Sequence, residues 1–309
     1  MQHIIILCPL YHDEDCFRIF IAALKSVTDK IPEYKFSILV INDGSGQVNL
    51  QSDLPLTLVN LHRNIGHQKA IAIGLAYAKE HLNFNHIIIM DCDGEDKPED
   101  IPALIKGLIS GKSIIVAKRV NRQEGRPFRL FYIFYKILFR ILTGHRISFG
   151  NFMLISNETV KTIIHYSEIW NHLAGAIVKS KIPYTSIDTH RGKRYSGTSK
   201  MNFNALLLHG LGAIGVFIEV TAMRLLIFSV LMIIISTVAI CIIFFIKFFT
   251  DNAIPGWTTS AVSSMLIVLL QSFLLSLFTV FLYLSSQGQK KFIPALHYND
   301  YVQSAENIK

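Results

Sequence analysis

His86-Ile-Ile-Ile-Met-Asp-Cys-Asp-Gly-Glu-Asp-Lys-Pro98 is the stretch on which the fold turns. Ile87 to Met90 run without a polar break, as in a strand covered on both faces. That strand leads straight into Asp91, Asp93, Glu95 and Asp96, and Pro98 opens a helix. In an open parallel sheet, ligands bind at the carboxyl ends of strands. The two-residue period aims Asp91 and Asp93 the same way, and Gly94 lets the chain turn so that Glu95 joins them. Carboxylates this close repel one another unless water or a cation intervenes. Oxygen ligands at this spacing suit Mg²⁺ or Mn²⁺, with Asp91, Asp93 and Glu95 as the candidate set. The other reading, an acidic helix start favoured by the helix dipole, describes Glu99 and Asp100.

Working outward, β-branched or aliphatic runs recur at 3–10, 35–41, 56–60 and 113–117, with helical stretches at 15–28, 66–81 and 98–110. Strands alternating with helices predict an α/β domain with a mostly parallel, Rossmann-like sheet and helices on both faces. Asp43 follows the second strand in Asn42-Asp-Gly-Ser45. An exposed carboxylate there could accept hydrogen bonds from a nucleobase, although the same four residues also make an ordinary turn. Pro9-Leu-Tyr11 after the first strand offers a wall with Tyr11 stacking, or a loop with a core aromatic.

The 309 residues are half hydrophobic and carry a formal charge of +8, which suits anionic lipid or phosphorylated substrates. Nucleic acid is the other common partner of a basic chain, and two long apolar segments favour the membrane over it. Segments 225–246 and 261–284 are uncharged, and at 1.5 Å per residue each crosses a hydrocarbon core of roughly 30 Å. The connection carries Pro255, Gly256 and Trp257, predicting a hairpin with both ends on one side. Arg191, Lys193, Arg194, Lys200 and Arg224 precede it and Lys290 and Lys291 follow it, which places the large N-terminal domain and both termini in the cytoplasm. The expected organisation is a domain over 1–220, a hairpin over 221–285, and a polar, loosely ordered tail over 286–309. Cys8, Cys16, Cys92 and Cys241 show neither a disulfide framework nor zinc spacing. No basic residue precedes the apolar start, so a signal peptide is not expected.

Over 126–142, Arg126, Arg129, Lys136 and Arg140 fall within a stripe of about 80°, with aromatic and aliphatic residues elsewhere. This predicts a helix lying in the membrane interface, the alternative being an amphipathic core helix. Segment 202–217, with His209 among leucines and glycines, is a second candidate. The basic stretch 191–200 reads either as a topology-fixing flank or, given Gly192 and Gly197, as a flexible phosphate-binding loop. His62 and His67 lack zinc spacing and read as residues of the surface or just behind a site.

Taken together, Pro9-Leu-Tyr11, Asn42-Asp-Gly-Ser45, Arg63-Asn-Ile-Gly-His-Gln-Lys-Ala70 and Asp91-Cys-Asp93 stand in an order and spacing that resembles family-2 glycosyltransferases of the GT-A fold. Ala117-Lys-Arg119, Gly150-Asn-Phe-Met-Leu-Ile155 and Arg191-Gly-Lys-Arg-Tyr-Ser-Gly-Thr-Ser-Lys200 resemble the polyprenyl-phosphate branch, which includes dolichol-phosphate mannose synthase and bacterial undecaprenyl-phosphate glucosyltransferases. The resemblance implies that Pro9, Tyr11, Asp43, Asn64, Lys69 and Asp91 bind a nucleotide sugar. It implies that Asp91 and Asp93 act at the metal and diphosphate, that Arg119 and Arg129 sit near phosphates, and that Arg191, Arg194, Ser199 and Lys200 belong to a mobile loop. Glu95 stands where Gln is frequent, Lys97-Pro98 replaces paired prolines, His12 replaces Asn, and Asn42 replaces an Asp.

The implied reaction moves a sugar, with inversion, from a nucleoside diphosphate to a polyprenyl phosphate. A phosphate monoester is largely dianionic at pH 7 and needs no general base. A hydroxyl acceptor would need one, and Glu168 is the residue available for it. A third reading, a catalytically silent nucleotide-binding scaffold, is opposed by the intact acidic cluster. The base, the sugar and any homo-oligomer are left open.

Overall fold

The computed structural model of the chain describes residues 1–120, 126–197, 203–250 and 256–308, the side chains of 126–131 and 203–205 excepted. β1 (Gln2–Leu10) leads through α1 (Glu14–Thr28) to β2 (Tyr34–Asn42) and β3 (Leu56–Leu61), then α2 (His67–His81) and β4 (His86–Ile89). Pro98 begins a short 3-10 turn before α3 (Ile101–Gly107), followed by β5 (Ile114–Arg119), α4 (Arg126–Thr143) and β6 (Met153–Ser156). α5 (Asn157–Ile163), α6 (Leu173–Ser180), β7 (Tyr184–Thr189) and α7 (Phe203–Gly215) precede two long helices, α8 (Ile218–Phe249) and α9 (Trp257–Gly288). α10 (Pro294–His297) and β8 (Val302–Ile308) close the chain.

The strands form one 8-stranded sheet in the order β7-β5-β6-β4-β1-β2-β3-β8. β1 pairs in parallel with β2 and β4, β2 with β3, and β5 with β7. β6 runs antiparallel between β4 and β5, and β8 antiparallel along β3. The five strands expected from hydrophobic runs are present. β1 shows why they are apolar throughout: Ile5 and Leu7 face α2, α5 and α6, while Ile4, Ile6 and Cys8 face α1 and α3. Each such side chain contributes about 1.5–3 kcal/mol on burial. Gly74 lets α2 lie close on the sheet, since a Cβ there would come within 2.5 Å of the Leu7 side chain.

The chain divides into two compact units. One comprises Met1–Phe134, His145–Val216 and Lys291–Lys309; the other comprises Tyr135–Gly144 and Phe217–Lys290. The first therefore takes in the residues after the hairpin, which corrects the expectation of a loosely ordered tail. β8 pairs along the length of β3, with Val59 opposite Ala305. Thr57 Oγ1 donates to Asn307 Oδ1 at 3.0 Å, and Asn60 Nδ2 donates to Ser304 Oγ at 3.0 Å. An edge strand with one solvated face carries little apolar signal, so its composition reads as a tail.

In the second unit, α8 and α9 are long and apolar enough to cross a membrane, and they contain the expected spans. Their buried positions are small and hydroxylated, Ser229 and Ser236 on α8 and Ser272 and Thr279 on α9, whereas Phe245, Phe278 and Phe281 face outward. Small residues between helices and bulky ones outside suit a lipid environment. Arg224 Nη1 donates to the carbonyl of Ile141 at 2.6 Å, so a cation caps the carboxyl end of α4. Ile133, Phe134, Ile137, Leu138 and Ile141 form an exposed apolar stripe on α4, and Leu207, Leu208 and Leu211 form another on α7. Both stripes sit in the segments expected to be interfacial.

Candidate active site

The turn after β4 wraps around its own carboxylates. Asp96, only 3 % exposed, accepts the Asp91 backbone N–H at 3.1 Å and the Arg119 guanidinium at 2.8 Å. Asp93 Oδ1 accepts the Glu95 N–H at 2.9 Å, and Gly94 takes the left-handed conformation (φ +94°) that the turn requires. Asp91 Oδ1 is buried with no hydrogen-bond partner. Burial, then the charges of Asp96 and Asp93, push the Asp91 carboxyl well above the usual carboxylate range. Burial likewise lifts Asp93, against the Glu95 N–H and the nearby Arg194.

The segment after β7 docks on this turn. Gly192 N–H donates to the Glu95 carbonyl at 2.9 Å and Tyr195 N–H to the Asp93 carbonyl at 2.8 Å. Arg194 Nη1 reaches Asp93 Oδ2 at 2.8 Å, while its Nη2 donates to Asp13. Arg191 donates to Glu95, and Arg119 Nη1 lies 3.7 Å from the same carboxylate. Thus Arg119, Arg191 and Arg194 gather with Asp93 and Glu95. A Cβ on Gly192 would stand 2.0 Å from the Gly94 carbonyl oxygen. Gly192→Ala is therefore expected to lift the segment off the acidic turn, seen as faster proteolysis at 191–195 with the thermal midpoint little changed.

Other positions differ from their sequence reading. Asp43 is buried, not exposed: its Oδ1 and Oδ2 accept the backbone N–H groups of Ile65 and Gly66 at 2.8 and 3.0 Å. The carboxylate holds the 63–66 turn, and burial raises its pKa against those two hydrogen bonds. Lys69 Nζ lies 5.3 Å from the centroid of the Trp170 ring, a cation–π contact. Pro9 is buried in β1, Tyr11 is exposed with its ring 4.4 Å from that of His12, and Asn64 is exposed beside Gly44. The side chain of Arg129, and Ser199 and Lys200, lie outside the described residues. Asp13 was not anticipated; its position just past the end of β1 was the available signal.

The donor set Asp91, Asp93 and Glu95 is all hard oxygen, as Mg²⁺ or Mn²⁺ requires, and Asp91 Oδ1, which accepts no hydrogen bond, lies 3.4 Å from His67 Nε2. Asp93 and Glu95 are instead neutralised by guanidinium groups, and no three His, Cys, Asp or Glu side chains are gathered for a metal among the described residues. To hold a cation, Asp93 would have to be released by Arg194 and Glu95 by Arg191.

Comparison with known proteins agrees with this architecture. An uncharacterized glycosyltransferase of Bacillus subtilis, YkcC, is 26% identical over 84% of this chain and 82% of its own length. The bactoprenol glucosyl transferase of Shigella phage SfV is 28% identical over 64% of this chain and 66% of its own. Among solved structures, glucosyl-3-phosphoglycerate synthase from Mycobacterium tuberculosis, in complex with Mn²⁺ and uridine-diphosphate-glucose, superposes with a TM-score of 0.50 at 11% identity, covering 71% of this chain and 79% of that one. That likeness concerns the fold. Residues 6–167 match the sequence model of Glycosyl transferase family 2, more than half of the chain, and the protein belongs to that family.

Proposed function

We propose that the protein transfers a sugar, with inversion, from a nucleoside diphosphate to a polyprenyl phosphate at the cytoplasmic face of a membrane. The observation that carries this reading is the meeting of Arg119, Arg191 and Arg194 with the acidic turn at the sheet's carboxyl edge. Guanidinium groups are suited to bidentate recognition of phosphate, and here they stand where a diphosphate would enter. Bound at Asp91 and Asp93, Mg²⁺ or Mn²⁺ would supply charge neutralisation for the departing nucleotide. Arg194 and Arg191, once released from Asp93 and Glu95, orient the donor and acceptor phosphates. Arg119 stays with Asp96 and fixes the turn.

A phosphate acceptor also accords with the state of Glu168. Burial would raise its pKa, but the hydrogen bond and charge of Lys179, with Ser167, hold it below the ordinary range. Its Oε1 accepts from Lys179 Nζ at 2.9 Å. An ion-paired carboxylate of low pKa is a poor general base for a hydroxyl acceptor. The same-side hairpin is supported by connectivity, because the segments flanking α8 and α9 supply strands to one sheet. The exposed stripes of α4 and α7 would seat in the headgroup region.

The test is incubation of the purified full chain with polyprenyl phosphate and radiolabelled UDP- and GDP-sugars. Label passing into the organic phase with one donor is the expected result; label confined to water-soluble products with every donor would overturn the lipid acceptor. Glu168→Gln is expected to leave transfer within about threefold, measured in the same assay.

A further inference from the structure

Guanidinium groups surround Asp93, Glu95 and Asp96, but Asp91 meets a different chemistry. His67 Nε2 lies 3.4 Å from Asp91 Oδ1 and 3.1 Å from Asn151 Nδ2. Next to His67 on α2, Gln68 is buried, and its Oε1 accepts the Leu173 N–H at 2.8 Å while its Nε2 has no partner. Leu173 begins α6, and His172 caps that helix by accepting the Gly175 N–H on Nδ1 at 3.0 Å. The His209 ring, from α7, lies 4.6 Å from the His172 ring. Gly212 brings α7 this close, since a Cβ there would be 3.3 Å from the Asn171 carbonyl oxygen.

This wall holds imidazoles, amides and one carboxylate oxygen, and the reaction described above uses none of the imidazoles or amides. Burial, then the neighbouring His209, lower the pKa of His172 to about 3. Neutral, with Nδ1 accepting, His172 carries its proton on Nε2. Burial and the charge of His67 lower His209 too. The described side chains do not gather for a metal. The Asp91 carboxylate on this wall would repel a phosphate. A hydroxyl group, which both donates and accepts, matches this mixed set of donors and acceptors beside Asp91 Oδ1.

We propose that His67 and Asn151, beside Asp91, bind hydroxyl groups of the sugar being transferred, with Gln68, His172 and His209 holding that wall in position. This rests on the donor being a nucleotide sugar. His67 and Asn151 then help to select which sugar is accepted, independently of the nucleotide.

Calorimetric titration of the full chain in detergent tests this, with UDP-glucose, UDP-galactose and GDP-mannose each set beside its bare nucleoside diphosphate. His67→Ala and Asn151→Ala are each expected to weaken binding of the preferred sugar conjugate by about three- to tenfold, the worth of one neutral hydrogen bond, with affinity for the bare nucleotide unchanged. His67→Gln, which keeps a hydrogen-bonding group, is expected to recover part of the loss. Equal loss for conjugate and bare nucleotide in all three variants, or no loss in any, would overturn the assignment of the sugar wall alone. A wild-type chain that binds none of the conjugates or nucleotides would overturn the donor reading, and the sugar wall with it.

Discussion

Asp93→Asn is expected to lower turnover by about a thousandfold or more, as read by transfer of labelled sugar, with the protein still folded. The asparagine keeps an oxygen for the Glu95 N–H, which Asp93 accepts at 2.9 Å, so the turn after β4 persists. What is lost is the anionic ligand through which Asp93 would hold the cation that offsets the diphosphate charge. Electrostatic stabilisation at a leaving group is worth several kcal/mol, and each 1.36 kcal/mol is tenfold in rate. The ion pair with Arg194 is lost as well, which lowers the thermal midpoint by several degrees at most, on the basis of about 1.5–3 kcal/mol for a charged hydrogen bond. Turnover within tenfold of wild type would mean that the acidic turn is not the catalytic centre.

Arg194→Ala is expected to move two measurements in opposite directions. Its guanidinium holds both Asp93 and Asp13, so in the closed arrangement it competes with any cation for Asp93. Removing it frees a charge-assisted hydrogen bond worth about 1.5–3 kcal/mol, equivalent to a gain of about tenfold or more in Mn²⁺ affinity by paramagnetic titration. Turnover falls by about a hundredfold, because the same side chain is then missing from the phosphates. If Mn²⁺ affinity stays level or weakens, Arg194 and the cation do not share Asp93.

Much of this was legible because two signals coincide at one place. The unbroken run Ile87–Met90 marks a doubly covered strand, and the acids that follow it must then lie at the sheet's carboxyl edge. The length of unbroken apolar sequence alone also marked α8 and α9. The remaining features depend on partners remote in the chain. Nothing near Asp43 says that its carboxylate is claimed by backbone N–H groups some twenty residues on. Arg194 reads as a flanking cation or a phosphate-loop residue, and nothing local tells that it contacts Asp13 and Asp93. The four acids of the turn look alike in the sequence, yet Asp96 is sealed against Arg119 while Asp91 keeps an oxygen without a partner. His67, read as a surface residue or one just behind a site, stands against Asp91 because α2 begins beside the end of β4.

The pairing of β8 with β3 has a consequence for how the protein is made. Ribosomes emit the chain from its amino end, so β3 is synthesised long before β8, and α8 and α9 emerge between them. Until the returning strand arrives, β3 presents a bare row of amide and carbonyl groups, the kind of edge that recruits foreign strands. Completion of the sheet therefore waits on the two long helices, which ties the nascent protein's protection from aggregation to how those apolar segments are handled as they emerge.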